Sequence, residues 1–238
     1  DFKVGLLRAE FVLGNIGVHY KSLKAYDYKI FDKINDLAKK GTLDTELKRI
    51  AEKVNGQNMA NAQIPTEEEM LFHEIMLNSN ANLEDIRKAE NDVANKLKMT
   101  GYTSGHEFFV EMLSQNIAIF AKSFDGKDVI YRTTDYKSNE YRGLMGGKLF
   151  EPFEDNPMLG HRGVSRQIDK WEIEAFNKAR KQYGATNLHI MFPFVRTETE
   201  LVLTLSQTRS NGLRLGDHGL KIFVMAEIPS ISINPIAF

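Results

Sequence analysis

The sequence contains no cysteine, which excludes disulfides, cysteine metal sites and thiol chemistry from these residues. No apolar run approaches the roughly 20 residues of a membrane-spanning helix. Neither sign of charge dominates: 31 Lys and Arg stand against 32 Asp and Glu, a net charge of -1. That balance gives no global electrostatic case for nucleic acid or an anionic membrane as partner. The opening Asp1-Phe2-Lys3 is no signal peptide, and without a start Met the chain is expected to begin inside a longer sequence. The missing cysteines do not fix the compartment, and a cytoplasmic protein is the simpler expectation. No internal repeat or low-complexity segment is evident.

What remains is an ordinary globular composition, 42% hydrophobic and 26% charged, over 238 residues, which suffices for a domain with a substantial core. Four short apolar runs, each ending in a polar or charged residue, are expected strands: Val4–Val12, Val129–Tyr136, Leu188–Arg196 and Leu220–Pro229. Their continuous rather than alternating apolarity suits a parallel sheet covered by helices. Helical patterns lie between them. Ser104 with Glu107 and Thr66 with Glu69 have capping-box spacing. Another helix is expected from Asn82 to a stop at Gly101, and another over Trp171–Gly184, with basic residues and a Gly at its end. Strand then helix, repeated, gives an α/β architecture. Residues 24–104 read as almost wholly helical and polar, an insertion between the first two strands with joints at Gly41, Gly56 and the Asn-rich stretch after it.

Functional-looking charges gather at the strand segments. Arg8, Arg132 and Glu227 lie on three of them, Asp135 follows Arg132 by three residues, and Arg162 sits in the Gly-rich stretch Asn156–Gly163. Ligands of parallel α/β folds bind at the carboxyl ends of strands, where such charges would meet. Converging guanidinium groups suit a ligand carrying both carboxylate and phosphate, and a neighbouring Glu suits Mg²⁺ bridging to it. Each arginine alone reads more readily as a surface or structural ion-pair residue, and Glu227 is slightly more pointed because an acid closely following a buried strand needs a partner. The six histidines show no metal-ligand spacing; His106, His161 and His189 read as helix-start, loop and strand-packing residues. Neither glycine-rich stretch matches a nucleotide-binding pattern. Residue patterns thus lead to an α/β domain with an anion site.

The stretch Tyr131–Arg166, YRTTDYKSNEYRGLMGGKLFEPFEDNPMLGHRGVSR, closely resembles the signature region of the phosphoenolpyruvate synthase (pyruvate, water dikinase) family. Val4–Tyr20, Thr186–Thr197 and Asn211–Ser230 resemble further family stretches in the same order, whereas residues 29–99 match much less well. The pyruvate, phosphate dikinases share the NPMLGHRG stretch but not the segment Asp135–Tyr141, and enzyme I of the sugar phosphotransferase system has a glycine-rich variant there. The resemblance implies a (β/α)8 TIM-type barrel that binds pyruvate or phosphoenolpyruvate with Mg²⁺. It also implies an ATP-binding domain and a phosphohistidine-carrying domain elsewhere in the parent chain, and a homodimer. Carried over by motif, Arg8 and Arg132 resemble the clamp for phosphate and carboxylate, and Arg162 a third cationic partner. Glu227 resembles a Mg²⁺ ligand, with Asp135 and Lys137 supporting behind them.

The departures set further expectations. An eight-unit barrel takes roughly 250 residues, and with the insertion this chain has room for only four or five strands. The family's second Mg²⁺ ligand, an Asp, and its proton-transferring Cys have no counterpart here. After Ser230 the tail ISINPIAF resembles the family's last barrel strand. The chain is therefore expected to pass from the fifth strand to the eighth near Ser230, to lack residues before the second strand, and to be inactive alone. Two alternatives stay open: a barrel that acts only as a binding or assembly module, and another phosphoenolpyruvate-using transferase of the same fold.

Overall fold

A computed structural model describes residues 4–56, 63–80, 82–124, 126–158, 160, 162–166 and 169–235. His161, the Asn-rich stretch after Gly56 and the last three tail residues lie outside the described residues. In chain order the elements are β1 (Val4–Arg8), α1 (Ala9–Ile16), α2 (Tyr20–Asp27), α3 (Ile30–Lys40), α4 (Leu43–Asn55), α5 (Glu67–Asn78) and α6 (Leu83–Thr100). There follow α7 (Gly105–Lys122), β2 (Val129–Arg132), α8 (Ser138–Arg142), α9 (Lys170–Lys181), β3 (Leu188–Phe192), α10 (Glu198–Ser210), β4 (Ile222–Val224) and α11 (Pro229–Ile233).

The chain divides into two compact units. The first comprises Asp1–Ile16, Phe109–Ser138 and Glu154–Phe238. Its centre is a wholly parallel sheet in the order β1-β2-β3-β4. Val129, Tyr131, Leu188, Ile190 and Phe192, which share one face of the sheet by register, are all buried. Helices α7 and α9 supply part of the cover: Phe109 meets Trp171 at 5.9 Å between ring centroids, and Tyr131 meets Phe176 at 5.8 Å. Asp169 caps α9 by accepting from the Trp171 N–H at 2.9 Å. Among the described residues the sheet is open, with β1 and β4 at its edges.

The second unit, Gly17–Phe108 with Asn139–Phe153, is helical around its own core, which includes Phe31, Ile34, Ile50, Phe72, Ile75 and Phe150. Thr66 and Glu69 form the reciprocal capping box that opens α5, and Asn82 caps α6. His19 is fully buried, with Nε2 2.9 Å from Glu151 Oε1 and its ring stacked on Phe150. The start of α7 is held from a distance as well as locally. The Asp27 carboxylate accepts from the N–H groups of Gly105 at 2.7 Å and His106 at 2.8 Å, while Ser104 Oγ accepts from Glu107 N–H.

Every expected strand is present but ends early. Ala9–Val12 are helical rather than extended, because Ala9, Val12, Leu13 and Ile16 repeat at helical spacing and bury one face, with Glu10 in the favourable first turn. β2 stops at Arg132, and the amides of Thr134 and Asp135 turn to the side chains of Glu172 and Glu10. β3 stops before Pro193, which has no N–H to pair, and Phe194, whose φ is 53°. β4 keeps only three residues of its expected ten. The described part of the tail is not a strand. Pro229 takes the first position of α11, and Ser230 and Ile231 lie inside that helix.

Candidate functional site at the strand ends

Parallel register brings the expected residues of β1 and β2 together. Arg8 and Arg132 end neighbouring strands and are direct register partners. The Arg8 side chain is exposed and has no ion-pair or hydrogen-bond partner among the described residues. Arg132 is buried and engaged. Its Nη2 donates to Glu10 Oε1 at 2.7 Å, and its Nη1 lies 3.3 Å from Asp135 Oδ2 and 4.0 Å from Met225 Sδ. Its Nε is buried without a hydrogen-bond partner, as is Glu10 Oε2.

Asp135 is the hub. It is 3% exposed and accepts a fork from Arg162, Nε to Oδ1 at 2.9 Å and Nη2 to Oδ2 at 2.6 Å. Its own N–H donates to Glu10 Oε1 at 2.9 Å. Two guanidinium groups thus interleave with two carboxylates, which offsets the repulsion of gathering cations and holds each fork in one orientation. The Phe194 ring lies under Arg162, 4.1 Å from its Cζ. Arg196 pins the same loop, donating to the Arg162 carbonyl at 3.2 Å and to Ser165 Oγ at 3.0 Å.

Glu227 follows β4 and is exposed; its Oε1 accepts from the Phe194 N–H at 2.8 Å. Lys137 lies half-buried on the loop between β2 and α8. No cluster of three or more His, Cys, Asp or Glu able to hold a metal exists among the described residues. Glu227 therefore fits Mg²⁺ only as one ligand of an ion whose shell is completed by ligand oxygens and water, a common arrangement for this cation. A pocket of about 280 Å³ lined by Arg180, Arg214 and His218 borders Thr186 and Leu220. Those two residues precede β3 and β4, so the pocket opens at the amino ends of the strands, away from these charges. Position relative to the sheet, not pocket size, decides between the two places.

Gly163 fixes the Arg162 loop. Its φ is 64°, and a β-carbon there would collide with Phe194 Cβ and approach the Pro193 carbonyl oxygen to 2.9 Å. Gly163→Ala is expected to cost about 2 kcal/mol, measured as a shift in the urea midpoint. An unchanged midpoint would mean that the loop relaxes freely.

Sequence reasoning did not single out Glu10, Phe194 or Arg196. For Glu10 a signal existed, an acid two residues beyond a strand-end arginine. Phe194 carried none, since it reads as one more apolar residue of β3.

The chain matches the family described as "PEP-utilising enzyme, PEP-binding domain" over residues 3–236. It belongs to that family. Among curated proteins it is 35% identical over 243 residues to a phosphoenolpyruvate synthase of Aquifex aeolicus, covering 95% of this chain and 26% of that protein. It is 41% identical over 149 residues to that of Helicobacter pylori, covering 60% and 18%. For the Escherichia coli protein the figures are 43% over 139 residues, 56% and 18%. This family member thus spans about a fifth to a quarter of the length of these relatives. Among its described residues no helix is long and apolar enough to cross a membrane.

Proposed function

We propose that the strand ends of this chain bind phosphoenolpyruvate and pyruvate with Mg²⁺, as the substrate-gripping part of a phosphoenolpyruvate synthase. The observation that carries the reading is the register pairing of Arg8 with Arg132, one guanidinium unpaired and exposed, the other fixed by carboxylates. A ligand with phosphate and carboxylate groups needs two such forks at one place. Arg8 meets the ligand from the open side, and Arg132 from the fixed side. Arg162 acts through Asp135 and keeps the local charge near neutral. Glu227 offers one carboxylate oxygen to Mg²⁺, which when bound would stabilise negative charge developing on the substrate oxygens.

In this reading the four-stranded sheet is part of a (β/α)8 barrel, and residues 24–104 are a helical insertion in it. The phosphoryl group comes from ATP through a phosphohistidine, both on other domains of a cytoplasmic, homodimeric parent protein. No residue of this chain takes the proton-transfer role at the pyruvate methyl group. A second reading rests on the same ion pairs: Glu10, Arg132, Asp135 and Arg162 satisfy one another and hold the strand ends without a ligand.

Arg8→Ala separates the two, because an exposed and unpaired side chain contributes little to folding. Calorimetric titration with phosphoenolpyruvate and Mg²⁺ is expected to show binding weakened by about tenfold to a hundredfold, one lost charge-assisted contact, with an unchanged melting temperature. Equal affinity in both proteins would favour the purely structural network.

A further inference from the structure

Behind the strand ends lies a carboxyl group with no part in gripping a ligand. Glu172, in the first turn of α9, is 4% exposed. Its Oε1 accepts from the Tyr131 hydroxyl at 2.8 Å and from the Thr134 N–H at 2.9 Å. Tyr131 immediately precedes Arg132, and Thr134 immediately precedes Asp135. One oxygen atom thus fastens the chain on both sides of Arg132, whose buried Nε makes no hydrogen bond of its own.

We propose that Glu172 is a positioning residue for the anion site, holding the segment from Arg132 to Asp135 through Tyr131 and Thr134 and tuning its charge by gaining or losing one proton. The proposal rests on the phosphoenolpyruvate-binding reading and deepens it. Glu10 and Asp135 balance Arg132 and Arg162, so the inner cluster is neutral while Glu172 is protonated. Ionised Glu172 adds an uncompensated negative charge behind the place where an anion would sit.

The groups facing Glu172 support a proton equilibrium near neutrality. Tyr131 approaches from β2, Thr134 from the loop after it and Glu10 from α1, with no cation among them. Burial is the largest influence and pushes the carboxyl up to about 7; the Glu10 carboxylate adds to this, while the hydrogen bonds from Tyr131 and Thr134 oppose it. An anion prefers the protonated form, so bound ligand and proton favour one another. Affinity should fall as pH rises through neutrality.

The test has two arms. In the first, phosphoenolpyruvate with Mg²⁺ is titrated by calorimetry into wild type, Glu172→Gln and Tyr131→Phe on either side of neutral pH. Glutamine keeps the acceptor oxygen but has no proton to lose. The ratio of wild-type to Glu172→Gln affinity cancels the ligand's own ionisation and is expected to change by about tenfold across neutral pH. Tyr131→Phe removes a hydrogen bond that favours the ionised form, so its midpoint should move to higher pH. A ratio that does not vary with pH overturns the proposal.

The second arm needs no ligand and follows the Thr134 amide and Arg132 Nε–H resonances of the isotope-labelled chain with pH. Both should titrate together near neutral pH in wild type and stay fixed in Glu172→Gln. An Arg132 resonance that ignores pH overturns the positioning role even if Thr134 titrates. Should wild type bind no phosphoenolpyruvate at either pH, the ligand reading fails, and the resonances alone decide whether Glu172 sets Arg132.

Discussion

Arg132→Ala is expected to cost the folded chain roughly 3–5 kcal/mol and to weaken phosphoenolpyruvate binding by about a hundredfold or more. The stability loss comes from what the guanidinium leaves behind. The largely buried Glu10 and the fully buried Asp135 would remain beside each other without the cation that bridges them at 2.7 and 3.3 Å, and Arg162 would pair with Asp135 alone. The affinity loss is larger than for Arg8→Ala because Arg132 holds one fixed orientation before any ligand arrives. Urea unfolding and calorimetry on the same preparation read the two effects separately. The double variant Arg132→Ala, Glu10→Gln should recover part of the stability and none of the binding. Recovery of both would place Arg132 outside the ligand site.

Glu172→Gln should make the chain more stable than wild type above neutral pH, on the order of 3 kcal/mol. The sign follows from the acid's raised pKa. Unfolded Glu172 titrates near its ordinary 4.5 and folded Glu172 near 7. Between those values the folded state holds a proton that the unfolded state has released, so wild-type stability falls as pH rises through this window. Below the window both states are protonated and no stability is lost. Above it both are ionised, and the full cost of a buried carboxylate remains. Glutamine carries none of that cost, so the difference between the two proteins should open between mildly acidic and mildly alkaline pH. Urea unfolding at both ends of the window checks this; a difference that does not change with pH would assign Glu172 an ordinary ionisation.

Much of the α/β framework was legible because buried parallel strands are short apolar runs and their helices carry capping signals. The strand boundaries were less so. Ala9 to Val12 continue the apolar run of β1, and only the i, i+3, i+4 spacing of Ala9, Val12 and Leu13 marks the turn into helix. The tail was expected to be a strand from its resemblance to the family's last barrel strand, yet Pro229 opens a helix there by fixing φ and lacking a donor. At the site, the sequence pointed to Arg8, Arg132, Asp135, Arg162 and Glu227 as charges near strand ends. Their division of labour was not readable. That Arg8 is free while Arg132 and Arg162 share Asp135 depends on a carboxylate from α1 and on a register between strands more than 120 residues apart. Glu172 was hidden for a simpler reason, since an acid in the first turn of a helix reads as a favourable dipole contact on the surface.

The most direct measurement is a crystal structure of this chain grown with phosphoenolpyruvate and Mg²⁺. The ligand is predicted at the carboxyl ends of β1, β2 and β4, its phosphate and carboxylate on Arg8 and Arg132, with Mg²⁺ touching Glu227. Density for the ligand in the pocket of Arg180, Arg214 and His218 instead, with Arg8 still unpaired and Arg132 still bound only to Glu10 and Asp135, would contradict it.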